Sequence, residues 1–408
     1  MQSLLLSNKD RYGYYTVGNF KTYSKLEAIE YSGKTHDPVK WNFNCDTFEK
    51  VDCNQEPPGS LDFWYAARAR QIREKYDYLV LWYSGGADSH NVLMSFVKNN
   101  IFIDEIAQFH NLAGEQGDKQ SWINEEVFAT SIPITQDLIQ NNPVYRNTKH
   151  RLVDLSELEF DLLKIDDNRW DYFYKVTKFL SPNTLARSYK RELIPDYQVL
   201  MDQGKSVCFV HGSEKPKVEN RNNQWYMVFS DCLDNVVTPR TQMLNREWEH
   251  DELFYWTDDL PQLVVKQAHV IKKFMNQLSP DMADNVHVFS NRHTKTLPDI
   301  SYSNITIDSI EYRLLPDGLH RLIYPDWMPN AIVCGKTPSA AYSNRDTWMF
   351  QSAAPDLGQR YYNYGLLHLR QLVKRANPDY WFEFKFDPKS GVPYDGGMKP
   401  LKNQYCIA

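Results

Sequence analysis

Long apolar runs are missing from this chain of 408 residues: the longest, Tyr78 to Tyr83, falls far short of the roughly 18 residues that a membrane-spanning helix needs. A helical membrane protein is excluded, and no membrane partner is expected. Cysteine is scarce and scattered. Cys45, Cys53, Cys208, Cys232, Cys334 and Cys406 stand at least eight positions apart, so neither a CxxC redox pair nor a four-cysteine zinc site can be written. Excess positive charge is also missing: the net charge is -6 and the isoelectric point about 6.0, without the basic footprint of a dedicated nucleic-acid binder. Met1-Gln2-Ser3 opens no charged-then-apolar leader, which together with reduced thiols predicts a cytoplasmic protein. No HExxH, no GxSxG and no GxGxxG after a strand occurs, so zinc proteases, α/β-hydrolases and dinucleotide binders lose their entry points. Gly204-Lys205-Ser206 and Gly335-Lys336-Thr337 look like the ends of P-loops, but Val199 and Asn330 stand where that motif needs its first glycine.

What is present is ordered along the chain. Residues 1–57 hold short alternating stretches, such as Tyr14 to Val17 and Val39 to Phe43, and read as a small β-rich cap ending at Glu56-Pro57-Pro58-Gly59. Leu61 to Lys75 is rich in helix formers and hands over to the unalternating run YLVLWY, which reads as a strand buried on both faces. Further strands are expected at Glu105–His110, His150–Leu155 and Ser206–Val210. Helical patterns fall between them at Ser89–Lys98, at Ser121–Thr130 and, interrupted by Pro195, at Thr184–Met201. Strands alternating with helices predict an α/β, doubly wound, mostly parallel sheet over 58–234, with its ligand site beyond the carboxyl ends of the strands. After about Asp234 the alternation stops. Residues 235–408 are expected to form a mainly helical C-terminal domain, with apolar faces such as Leu263, Val264, Ala268, Ile271, Phe274 and Met275. No linker or internal repeat separates these parts.

Glycine numbers only 17, so adjacent glycines carry information; the pairs are Gly85-Gly86 and Gly396-Gly397. The first lies in Ser84-Gly85-Gly86-Ala87-Asp88-Ser89, between the buried strand and a helix. Two glycines let the backbone curl tightly around a ligand, and the helix N-terminus aims its positive dipole end at the same point. Ser84 and Ser89 add hydroxyl donors. Asp88, an acid where phosphate should be, makes sense if it holds Mg²⁺ bridging the phosphate oxygens. A plain strand-to-helix turn capped by Ser89 or Asp88 is the other reading of the same letters.

SGGADS after an apolar strand resembles the SGGxDS PP-loop of the ATP pyrophosphatases, the adenine-nucleotide α-hydrolase group that includes asparagine synthetase, NAD synthetase and tRNA lysidine synthetase. The resemblance covers about residues 76–215 and implies a sheet of HUP/PP-loop type. It also implies cleavage of ATP to AMP and pyrophosphate, with AMP placed on a substrate oxygen and then displaced. By resemblance, Ser84, Gly85, Gly86, Ala87, Asp88 and Ser89 would cradle the ATP phosphates, and Phe109 would frame the adenine. Cys208 to Glu214 resembles the second motif of asparagine synthetase. Glu214 would then share Mg²⁺ with Asp88, while His211, Gly212 and Lys215 approach the phosphates; a β-turn with an exposed Glu explains the same letters. Leu322 to Ser339 resembles the stretch carrying that synthetase's catalytic lysine and nominates Lys336, against a surface loop.

The departures narrow the reading. Residue 2 is Gln and the first cysteine is Cys45, so no glutaminase is expected and the nitrogen donor would be ammonia or an amine. An asparagine-synthetase-like adenylating ligase acting on a small-molecule acceptor is the expectation. Two alternatives remain: a nucleobase-modifying enzyme of the lysidine-synthetase kind, using the basic residues Lys178, Arg187, Lys190 and Arg191, and an ATP-binding protein without turnover.

Overall fold

The computed structural model describes residues 10–112, 123–124, 126–163, 186–187, 189–212, 216–231, 249–277, 320–324, 355–386 and 393–408. Near the amino terminus, β1 (Tyr14–Val17), β2 (Phe20–Thr22) and β3 (Lys40–Asn42) make an antiparallel sheet in the order β2-β1-β3. Helix α1 (Lys25–Thr35) packs on it, started by Ser24, whose side chain accepts from the Glu27 N–H. The expected cap is therefore a sheet plus a helix.

Helix α2 (Leu61–Lys75), capped by Ser60, delivers the chain to β4 (Tyr78–Trp82). Leu79, Val80 and Leu81 are fully buried there, each contributing roughly 1.5–3 kcal/mol relative to exposure. Then come α3 (Ala87–Val97), β5 (Glu105–His110), α4 (Ile132–Asn141), β6 (Lys149–Asp154), α5 (Lys190–Leu193), α6 (Pro195–Asp202) and β7 (Val207–His211). All four expected strands lie within one residue of their expected bounds. Of the stretch Ser121–Thr130 expected to be helical, Ile123 and Asn124 form a turn, and Ser121, Trp122 and Glu125 lie outside the described residues. Glu126–Ser131 forms a π-helical turn, and α4 follows with Pro133 in its first turn, where proline's missing N–H costs nothing.

The chain next pairs β8 (Lys217–Arg221) with β9 (Gln224–Ser230) in an antiparallel ribbon. It then contributes a strand that the sequence reading missed, β10 (Glu249–Leu253). Strand β10 runs parallel to β7 and completes a five-stranded sheet in the order β10-β7-β4-β5-β6, every neighbouring pair parallel. The alternation thus continues past residue 234. EHDEL shows no apolar run because four of its five side chains are polar; three of them, Glu249, Asp251 and Glu252, are buried by pairing with charged partners, and His250 is half-buried.

Helix α7 (Pro261–Met275) buries the expected apolar face, and α8 (Pro355–Ala376) buries Leu369 and Val373. The described residues beyond 235 are not helical alone. Strands β11 (Trp381–Phe386) and β12 (Pro393–Met398) pair antiparallel, and β13 (Lys402–Cys406) pairs with β9 in a third sheet, β13-β9-β8. The second glycine pair, Gly396-Gly397, belongs to β12 and not to a ligand loop. Among the described residues no helix is long and apolar enough to cross a membrane.

Candidate functional site

The order of the parallel sheet places a crevice. From β4 the chain steps to β5 and β6 on one side, then returns to lay β7 and β10 on the other, so its direction of progress reverses between β4 and β7. Ligands in open α/β sheets bind outside the carboxyl ends of the strands at such a reversal. Trp82 of β4 is in register with His211 of β7, and the residues following them are the Ser84–Ser89 turn and Gly212.

The turn is built for close approach. Gly85 has φ +89°, and a Cβ there would lie 2.8 Å from the Glu126 carbonyl oxygen and 3.0 Å from Ser131 Cβ. Gly86 is the N-cap of α3 and has no side chain to cap it, so neither Ser89 nor Asp88 is the cap. The hydroxyls organise the loop: Ser84 Oγ and Ser89 Oγ are 3.1 Å apart, and Ser84 N–H and Gly86 N–H donate to Ser89 Oγ and Ser84 Oγ, both at 3.3 Å. Gly212 closes the other side. A Cβ on it would lie 2.7 Å from Ser89 Cα and 2.9 Å from the Asp88 carbonyl carbon, so β7 ends directly against the start of α3.

Asp88 is held from behind by tyrosines. The Tyr255 hydroxyl donates to its carbonyl oxygen at 2.8 Å, and the buried Tyr324 ring packs on Tyr255 with ring centres 5.4 Å apart. Burial pushes both phenols well above their ordinary range, so they stay protonated donors. Glu126 brings a second carboxylate: its Oε1 lies 2.8 Å from the position a Gly86 Cβ would take. Phe109 stacks on Trp82 with ring centres 4.0 Å apart, and the Arg187 guanidinium lies 5.6 Å from the Phe109 ring centre.

The structure therefore brings together Ser84, Gly85, Gly86, Ala87, Asp88, Ser89, His211 and Gly212 at one crevice, with Phe109 at the end of the neighbouring strand. Glu214, Lys215 and Lys336 lie outside the described residues, as does Lys178. Of the basic residues considered for nucleic acid, Lys190 pairs with buried Asp251 and Arg191 with Glu249 at 2.5 Å, while Arg187 lies against Phe109. His211 spends Nε2 on Asp251 at 2.7 Å. Sequence reasoning missed Glu126, Asp251, Tyr255 and Tyr324. Only the aromatic cluster Phe254-Tyr255-Trp256 carried a local signal, and that signal reads as core.

The residues fit an anion with a divalent cation. A glycine turn and the start of an eleven-residue helix face one point, and Asp88 supplies a hard oxygen donor. Among the described residues no group of three or more His, Cys, Asp or Glu side chains forms a metal cage. Mg²⁺ commonly takes one or two carboxylates and completes its shell with water and phosphate oxygens, which a single Asp88 satisfies. No family model matches the chain, and comparison with curated proteins finds no match.

Proposed function

We propose that the chain is an ATP-dependent adenylating enzyme that cleaves ATP to AMP and pyrophosphate. It activates a carboxylate or amide-like oxygen of an acceptor for attack by ammonia or an amine, as a C–N ligase similar to the synthetase domain of asparagine synthetase. The observation that carries the reading is the position of the Ser84–Ser89 turn at the reversal between β4 and β7, facing Gly212.

Each part has a physical task. The backbone of Ser84 to Ser89 and the start of α3 hold the β and γ phosphates, which depart as pyrophosphate. The Ser84 and Ser89 hydroxyls, now bonded to each other, turn outward to the phosphate oxygens. Asp88 would hold a Mg²⁺ ion, which would supply positive charge to the phosphates. Tyr255 holds the backbone of Asp88 through its carbonyl oxygen, so little reorganisation is needed on binding. Phe109 and Trp82 offer a flat apolar surface to the base. Burial pushes the Cys53 thiol up to about 11, which leaves it little thiolate for attack on glutamine and supports ammonia or an amine as the nitrogen donor.

The test is exchange of labelled pyrophosphate into ATP, screened over amino acids, nucleosides and nucleic acids. Acceptor-dependent exchange with AMP as the nucleotide product is expected. Recovery of ADP and inorganic phosphate as the main products would overturn the reading.

A further inference from the structure

A carboxylate–histidine pair stands beside the phosphate turn. His211 closes β7 in register with Trp82 and Leu253, and the residue after it, Gly212, packs on the backbone of Asp88 and Ser89. The imidazole is therefore held at the reversal crevice, with 10% of its side chain accessible. Nε2 lies 2.7 Å from Asp251 Oδ1. Asp251 is fully buried, a placement that by itself disfavours its charge; the Lys190 ammonium and the His211 contact outweigh this and keep it ionised. An ionised carboxylate only accepts, so the ring proton belongs on Nε2, and Nδ1 carries the lone pair. Nδ1 has no hydrogen-bond partner among the described residues. Burial, helped by the nearby Lys190 and Arg187 charges, depresses the imidazole pKa despite Asp251, so the ring is neutral near pH 7.

We propose that His211 is the general base of the nitrogen-transfer step, with Asp251 as the positioning residue that fixes its tautomer and Lys190 holding Asp251 in turn. The role rests on the adenylating reading above. In the step, the amine lone pair forms the new C–N bond at the activated carbonyl carbon, and the proton that this nitrogen must lose passes to Nδ1. The C–O bond to AMP breaks with its electron pair remaining on the phosphate oxygen, and the imidazolium then returns its proton to water. The products are the amide, AMP and one proton.

The experiment measures two rates in the full chain with Mg²⁺-ATP and whichever acceptor supports exchange: pyrophosphate exchange, which reports adenylation, and transfer to hydroxylamine, which reports nitrogen attack. His211→Gln keeps an N–H donor for Asp251 but has no basic lone pair. Its transfer rate is expected to fall about a hundredfold more than its exchange rate. His211→Ala should behave alike and regain transfer with added imidazole. Asp251→Asn should lower kcat for transfer with little change in the KM for hydroxylamine. Equal losses of exchange and transfer in His211→Gln would make His211 a nucleotide-binding residue only, and undiminished transfer would remove it from the chemistry; either outcome overturns the base assignment alone. Absence of exchange in the wild-type chain with every acceptor overturns the adenylating reading and this role with it.

Discussion

At the scale of single residues, the turn at 84–89 was legible because its letters sit together between a buried strand and a helix, and a chain poor in glycine spent two on it. Asp88→Asn removes a carboxylate without changing shape. The fold is expected to survive by circular dichroism while Mg²⁺-ATP binding, followed by calorimetry, weakens about tenfold or more, the equivalent of ~1.4 kcal/mol. Glu126 was not legible. It is one of two adjacent acids, Glu125-Glu126, with no motif around them, and only the packing of the π-helical turn on Gly85 and Gly86 brings its carboxylate to the site. A carboxylate at a seat for phosphate repels the nucleotide when no cation lies between them. Glu126→Gln is therefore expected to bind ATP severalfold more tightly in EDTA, and an unchanged or weaker affinity would show that Glu126 does not face the phosphates.

At the scale of elements, β4, β5, β6 and β7 could be read from apolar runs and turn signals, whereas β10 could not. A strand whose burial is secured by charge pairing looks like a loop in a hydropathy pattern. Glu252 shows how the pairing works. Burial alone would raise its pKa, but Arg68 at 2.6 Å, Arg11 at 3.0 Å and Lys75 at 3.2 Å outweigh it and hold the carboxyl far below the usual range. Because the folded-state pKa lies below the unfolded value of about 4.3, the stabilisation is fully present above pH ~5 and fades as pH falls through the acidic range. Glu252→Gln leaves Arg68 buried without a full counter-charge. A loss of about 3–5 kcal/mol is expected in urea unfolding at pH 7. The deficit relative to the wild type should shrink at pH 3, since protonating Glu252 costs the wild type what the variant has already lost. A deficit equal at both pH values would show that packing and not charge accounts for the loss.

At the scale of the whole molecule, the amino-terminal cap, the parallel sheet and the carboxyl-terminal strand share one apolar core that runs from Tyr15 to Ile407. Short-range patterns gave the parts of that arrangement but not their joining, because the joints are contacts between residues hundreds of positions apart. Asp231, at the end of β9, shows this most clearly: it pairs with Lys25 at 2.7 Å, accepts from the Tyr15 hydroxyl at 3.1 Å and accepts from the Leu401 N–H at 2.9 Å, all in a buried setting. Phe43 of the cap packs on Phe229 and Trp256 with ring centres 5.1 and 5.5 Å away, and its N–H donates to Asn403 at 2.9 Å. Removing residues 1–57 would therefore strip Asp231 of its cation, strip Glu252 of Arg11, and uncover the Phe229 and Trp256 rings. Glu252 keeps Arg68 and Lys75, but a buried Asp231 without Lys25 costs several kcal/mol, which is comparable with the whole stability of an ordinary domain. A chain of residues 58–408 is expected to aggregate or to lack a cooperative urea transition, although the entire Ser84–Ser89 turn remains in it. If that shortened chain unfolds in a single transition and binds Mg²⁺-ATP as the full chain does, the cap is an appendage and the parallel sheet carries its own stability.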